Sequence, residues 1–335
     1  MNNEVSLAIV GLGYWGPNLL RNFNNLGVVK YVFDLDDNKL KKFRDTSTYR
    51  DIKFATSYKQ AMTDKKLSAI VVATPPDTHY DIAREALINK KHVFIEKPMT
   101  LDVGEAENLI ELSNRKNKIL MVGHTFLYTP EVRKIKEIID SGELGKIQYI
   151  HASRLNLGKF QSANVVADLS PHDISIFNYL LDDELNSIFS QGYSFIDKEV
   201  IEVAFVTFEY KKGATCNLHL SWLDPLKKRV TTIVGDKRML VYDMMADEKI
   251  KIYDKGVDVL NDTSDYGRYM LAYRHGDIWS PHVDVWEPLF LECEHFIKCI
   301  KGGEKPLTDG YNGREVVKGL VAALNSLKTG ERVWL

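Results

Sequence analysis

Two residues of this 335-residue chain combine a type and a setting suited to acid–base work: Lys97 and His172. A lysine ammonium holds an oxygen and offsets negative charge that develops on it as its proton leaves. A neutral imidazole within reach takes the proton and returns it in the reverse direction. Either residue can be the base, since two such groups sharing a site titrate as a pair.

Lys97 closes the stretch His92-Val93-Phe94-Ile95-Glu96-Lys97-Pro98. Three apolar residues flanked by charge predict a short strand buried on both faces, as in a parallel sheet. Pro98 stops it from pairing further. Ligands of open parallel sheets bind beyond the carboxyl ends of the strands, which puts Lys97 at a pocket rim. His172 follows Asp168-Leu169-Ser170-Pro171. Ser170 suits an N-cap and Pro171 a first helical position, which predicts a helix with His172 in its first turn. The positive end of that helix would keep the ring neutral, and Asp168 would orient the ring or the substrate. The same segment also reads as turn chemistry at Asp168 and a packed, satisfied histidine at His172.

The first 123 residues supply the frame for Lys97. An apolar strand over 5–10 meets Gly11-Leu12-Gly13-Tyr14-Trp15-Gly16, and Pro17 opens a helix with Leu19, Leu20, Phe23 and Leu26 on one face. In such a G-x-G-x-x-G turn the glycines allow a tight bend, close approach of a pyrophosphate and close helix–strand packing. The phosphates then meet N–H groups at the positive helix end. A strand over 29–33 ends at Asp34, 18 residues after Gly16. A carboxylate there accepts hydrogen bonds from the adenosine ribose and repels a 2′-phosphate, which favours NAD over NADP. The other reading of Asp34 is a solvated acidic turn with Asp36 and Asp37. Further strands over 69–73 and 119–122 alternate with helices over 78–89 and 103–115, the latter capped by Asp102 with Glu105. This alternation predicts an α/β class with a Rossmann-type parallel sheet as an N-terminal domain, residues 1–123.

Residues 124–335 have another rhythm. Strands are predicted over 146–154, 187–193, 200–210, 214–222, 229–234 and 239–243, with hairpin signals at Lys211-Lys212-Gly213 and Gly235-Asp236. The expectation is a C-terminal α+β domain on a largely antiparallel, open-faced sheet, serving substrate binding and oligomerisation. Apolar residues of both parities over 203–208 suggest that helices cover one face and a second subunit the other, giving a homodimer or homotetramer. Residues 261–286 read as an irregular loop. Residues 288–301 and 313–327 read as helices.

Composition narrows the function classes. A hydrophobic share of 44% with 27% charged residues excludes a disordered chain. A net charge of −2 leaves no electrostatic footprint for nucleic acid. No apolar run reaches the ~20 residues of a membrane span, and residues 1–4 lack the basic and apolar regions of a signal peptide. A cytoplasmic protein is therefore expected. Cys216, Cys293 and Cys299 match no disulfide framework or zinc spacing. Glu292 and His295 alone have metal-like spacing on a helix face, which equally suits a solvated face, so no metal is expected.

Taken together, Gly11-x-Gly13-x-x-Gly16, Asp34, Thr74-Pro75-Pro76-x-x-His79, Glu96-Lys97-Pro98 and Asp168-x-x-x-His172 resemble the glucose–fructose oxidoreductase, inositol dehydrogenase and MocA (Gfo/Idh/MocA) family over nearly the whole chain. Within it, residues 13–18, 123–126 and 221–225 resemble the nucleotide-sugar branch, which oxidises the 3-hydroxyl of UDP-N-acetylglucosamine-type sugars in amino-sugar and surface-polysaccharide synthesis. The resemblance implies NAD contacts from Gly11, Gly13, Tyr14, Trp15, Gly16, Asp34, Thr74, Pro75, His79, Glu96 and Lys97. It implies that Lys97 and His172 flank the reacting carbinol and that Asp168 steadies it. His124, Arg154, Asn156 and Trp222 are further substrate candidates; the last three equally suit structural roles. Leu127 stands where many members have arginine, which counts against carrying over the substrate of an inositol- or glucose-oxidising relative. The alternatives are an inositol or free-sugar dehydrogenase and a non-catalytic NAD-sensing regulator. The joint presence of Lys97, Asp168 and His172 favours the enzyme.

Overall fold

The computed structural model describes residues 5–158, 164–260 and 270–335. The chain begins with β1 (Leu7–Val10), α1 (Gly16–Asn25), β2 (Val29–Phe33), α2 (Asp37–Arg44), β3 (Lys53–Ala55) and α3 (Lys59–Thr63). It continues with β4 (Ala69–Val72), α4 (His79–Ile88), β5 (His92–Glu96), α5 (Val103–Lys116) and β6 (Leu120–Gly123). The six strands pair in parallel in the order β3-β2-β1-β4-β5-β6. Strand order reverses between β1 and β4, which opens a crevice at their carboxyl ends. Every residue of β1, β4 and β6 is buried, as their unbroken apolar runs require of strands covered on both faces. Leu19, Leu20 and Phe23 of α1 cover one face, and Ile82, Ala86 and Leu109 of α4 and α5 cover the other.

The second half contains α6 (Pro130–Asp140), β7 (Ile147–Leu157), α7 (Val165–Leu181), β8 (Leu185–Tyr193), β9 (Val203–Tyr210) and β10 (Thr215–Ser221). It goes on through β11 (Leu223–Gly235), β12 (Met239–Asp243), β13 (Ile250–Leu260) and β14 (Met270–Trp279) to α8 (Pro288–Gly302), α9 (Gly310–Thr329) and β15 (Val333–Trp334). Nine strands form one sheet, β14-β13-β12-β11-β7-β10-β9-β8-β15. Only β7 and β10 among the described pairs run parallel. On β9, Ala204, Val206, Phe208 and Tyr210 are buried and Phe205 is exposed. Alternation, rather than burial on both faces, therefore describes this strand within one chain. α7 packs over β7, β9 and β10.

The chain falls into two compact units, Met1–Thr129 with Trp286–Val321, and Pro130–Val285 with Ala322–Leu335. Residues 286–321, which the sequence groups with the second half, thus pack with the first unit. The reason is apolar: Phe296 of α8 meets Phe23 and Phe94 edge-on, with ring centroids 6.2 and 5.6 Å apart. A second difference concerns the irregular loop expected over 261–286. Residues 270–279 form β14, whose ladder with β13 uses the β-prone Tyr273, Ile278 and Trp279; residues 261–269 lie outside the described residues.

Candidate active site

Backbone geometry explains the glycine turn. Gly11 has φ +103°, and a Cβ there would lie 2.4 Å from the Ala73 carbonyl oxygen. A Cβ on Gly16 would lie 2.2 Å from the Gly11 carbonyl oxygen, whereas Gly13 faces open space. Trp15 at the start of α1 offers no side-chain cap, so the helix end is left for an anion, as a pyrophosphate requires. Tyr14 beside it is almost fully exposed. Asp34 is fixed at the end of β2: its Oδ2 accepts from Leu12 N–H at 2.7 Å and its Oδ1 from Asp36 N–H at 2.9 Å. The carboxylate is thereby held against the glycine turn, where a ribose diol would lie. Because backbone blocks the added methyl, Gly16→Ala is expected to weaken NADH binding by about ten-fold or more and to cost about 1–3 kcal/mol. Fluorescence titration with NADH and thermal melting would measure the two effects.

The carboxyl edge of the sheet gathers the next group. Glu96 and Gly123 are register partners on β5 and β6, so Lys97 and His124 leave adjacent strand ends. Lys97 is half-buried. His79 is buried, with Nδ1 2.9 Å from the Pro98 carbonyl and Nε2 2.8 Å from the Thr74 carbonyl. It ties the segments after β4 and β5 together and so positions Thr74 and Lys97 from behind. Pro75 is exposed at the same edge.

Glu96 is fully buried, and burial raises its pKa to about 8 in spite of the neighbouring Lys97 ammonium. Its Oε1 has no partner among the described residues. Glu292 of α8 is buried as well, and burial followed by the Glu96 charge pushes its pKa well above the carboxylate range. Burial, then Lys97, pushes His124 down to about 3; neither ring nitrogen has a hydrogen-bond partner among the described residues. Folded Glu96 keeps its proton up to about pH 8, whereas a carboxyl at the ordinary 4.5 has already lost it. Folding therefore takes up a proton in this window, and stability falls as pH rises through it, by at most roughly 1.4 kcal/mol per pH unit. Glu96→Gln is expected to flatten that decline in a series of melts from pH 5 to pH 8. An unchanged slope would show that Glu96 is not its source.

Glu292 and His295, the pair with metal-like spacing, are engaged otherwise. Thr125 Oγ1 donates to Glu292 Oε2 at 2.6 Å, and Tyr128 Oη lies 2.8 Å from His295 Nδ1. No cluster of three or more metal-ligating side chains occurs among the described residues.

In the second unit the structure corrects the start of the histidine helix. α7 begins at Val165, capped by Asn164, whose Oδ1 accepts from Ala167 N–H at 2.8 Å. Pro171 is therefore inside the helix, and His172 lies two turns in, beyond the reach of the terminal dipole. Asn164 competed successfully with Ser170 as cap because residues 165–169 are also compatible with helix. Asp168 and His172 still share a helix face, one turn apart. Arg154 is buried and grips Asp173 with Nε–Oδ2 2.6 Å and Nη2–Oδ1 2.9 Å. Trp222 is buried too, against Gly158. Asn156 Oδ1 accepts from Arg229 Nη2 at 2.9 Å. Sequence reasoning missed Asp173 and Arg229; the only signals were an acid next to His172 and an arginine opening a predicted strand.

A doubly wound sheet with this glycine turn and a carboxylate after its second strand defines an NAD-binding Rossmann domain. Residues 5–124 match the oxidoreductase family with NAD-binding Rossmann fold, and residues 132–241 match the GFO/IDH/MocA C-terminal domain. The chain belongs to the Gfo/Idh/MocA family. It is 22% identical to the myo-inositol 2-dehydrogenase of Thermotoga maritima over 98% of both chains. Its fold is similar to UDP-N-acetylglucosamine 3-dehydrogenase GnnA from Acidithiobacillus ferrooxidans, with TM-score 0.80 at 20% identity over 96% of this chain and 97% of that one. It is also similar to GenD2 from gentamicin A biosynthesis, solved in complex with NAD, with TM-score 0.82 at 19% identity over 100% and 97%.

Proposed function

We propose that this dehydrogenase transfers hydride between NAD and carbon 3 of a nucleotide-linked sugar, UDP-N-acetylglucosamine or a derivative, in amino-sugar or surface-polysaccharide synthesis. NAD supplies the hydride acceptor. Lys97 holds the carbinol oxygen, His172 exchanges its proton, and Asp168, one turn away on the same helix face, steadies the ring. Glu96 lies beside the nicotinamide ribose, and Asp34 takes the adenosine ribose. The observation that carries the reading is the half-buried Lys97 at the carboxyl edge of the NAD-binding sheet, next to the buried Glu96 and His124. Leu127, fully buried where many family members have arginine, counts against carrying over an inositol substrate.

The second reading, an inositol dehydrogenase, is favoured by the full-length similarity to the Thermotoga enzyme. NADH formation with UDP-N-acetylglucosamine, its 3-hydroxyl-bearing uronic derivative, myo-inositol and glucose separates the two. Nucleotide sugars alone should be oxidised; oxidation of myo-inositol alone would overturn the proposal. No described helix is long and apolar enough to cross a membrane, in keeping with a cytoplasmic location. Phe205, exposed and stacked on His219 at 4.4 Å, lies on the open sheet face through which a homo-oligomer would form.

A further inference from the structure

Arg154 and Arg229 stand directly opposite each other on β7 and β11. Like charges facing across an antiparallel pair repel, and here both are withdrawn from water, Arg154 fully and Arg229 in part. Asp173 neutralises the first arginine through its two-oxygen grip. Arg229 has only neutral oxygens as hydrogen-bond partners: Asn156 Oδ1 at 2.9 Å and the Leu155 and Lys228 carbonyls at 3.0 and 3.2 Å. No carboxylate lies within ion-pair distance of it among the described residues. Burial, then the charge of Arg154, lowers its pKa to about 10, while Asp173 and Asp168 counter this from further away. A guanidinium has five N–H donors, so this one keeps donors in reserve, within the field of the helix face that carries Asp168.

We propose that Arg229 is the anion-recognising residue of the substrate site, receiving the diphosphate or a sugar carboxylate of the nucleotide sugar, while Arg154 holds Asp173 and with it α7. The inference rests on the nucleotide-sugar reading above, and it adds the residue that selects charged over neutral sugars. A partly desolvated cation without a carboxylate mate is costly in the free chain and is offset when an anion arrives. A purely structural role also exists for Arg229, since the register slip of β11 just before Lys228 leaves carbonyls for it to hold. That role predicts lost stability and no change in ligand preference.

Calorimetric titration of the wild type, Arg229→Gln and Arg229→Lys with UDP, UDP-N-acetylglucosamine, glucuronate, myo-inositol and NADH tests this. Arg229→Gln should weaken the anionic ligands by about ten-fold or more, with NADH and myo-inositol unchanged. Arg229→Lys, which keeps the charge but not the planar fork, should lie between and covers the case in which Gln does not fold. Loss confined to the UDP ligands identifies the diphosphate; loss confined to glucuronate identifies the carboxylate. Unchanged affinity for every anion, equal loss for myo-inositol, or a wild type that binds only myo-inositol would overturn the proposal. Binding is read without turnover. Arg229-dependent UDP binding in a protein that oxidises no nucleotide sugar would therefore fault the dehydrogenase reading and leave this one standing.

Discussion

Lys97→Ala is expected to lower turnover about 10³-fold, the range found when a preorganised electrostatic stabiliser is removed, while NADH still binds. The reason is positional. β5 ends with Glu96 inside the sheet and Lys97 at its edge, and His79 fixes the Pro98 carbonyl behind it. An ammonium in that place is held on a rigid strand end, so it need not reorganise as charge develops on the substrate oxygen. Alanine removes the charge and leaves the glycine turn and Asp34 as they were, which separates catalysis from cofactor binding. Steady-state rates and an NADH titration on the same preparation give the comparison. Turnover within a few-fold of the wild type would remove Lys97 from the reaction.

Asp173→Ala should be the most destabilising of the substitutions considered, at about 3–5 kcal/mol, because it removes the carboxylate paired with a buried cation. Arg154 would lose its two charge-assisted bonds to Asp173 while still standing opposite Arg229. The double variant Arg154→Met with Asp173→Leu removes the pair together and should recover much of that loss, since two apolar residues can replace a buried ion pair. Denaturant midpoints for the singles and the double supply the cycle. If Asp173→Ala cost under about 1 kcal/mol, the pair would be behaving as an exposed one.

The parallel sheet was readable in the sequence because its strands are short unbroken apolar runs and its glycine turn has steric causes that only glycine satisfies. Gly11 and Gly16 each abut backbone atoms that a Cβ would strike. The start of α7 was misread for a local reason: Ser170-Pro171 is a good opening, and Asn164 is an equally good one six residues earlier. Which opening the chain uses depends on packing over β7 and β10, which a local pattern does not record. The grouping of residues 286–321 with the first unit is likewise a tertiary fact, set by Phe296 meeting Phe23 and Phe94. Polar partnerships were least legible. Glu292 and His295 had the spacing of ligands, yet they hold Thr125 and Tyr128 of a distant turn. Arg154, a substrate candidate by type, also grips Asp173, and Arg229 was visible only once strand register placed it opposite.

Isotope transfer reaches the reaction itself. UDP-N-acetylglucosamine carrying deuterium at carbon 3 is incubated with the enzyme and NAD, and the reduced nicotinamide is examined by mass spectrometry. Reduced cofactor that carries the deuterium, formed by the wild type and not by Lys97→Ala, is the predicted result. Reduced cofactor without the label, or none formed from this sugar while myo-inositol reduces NAD, would contradict it.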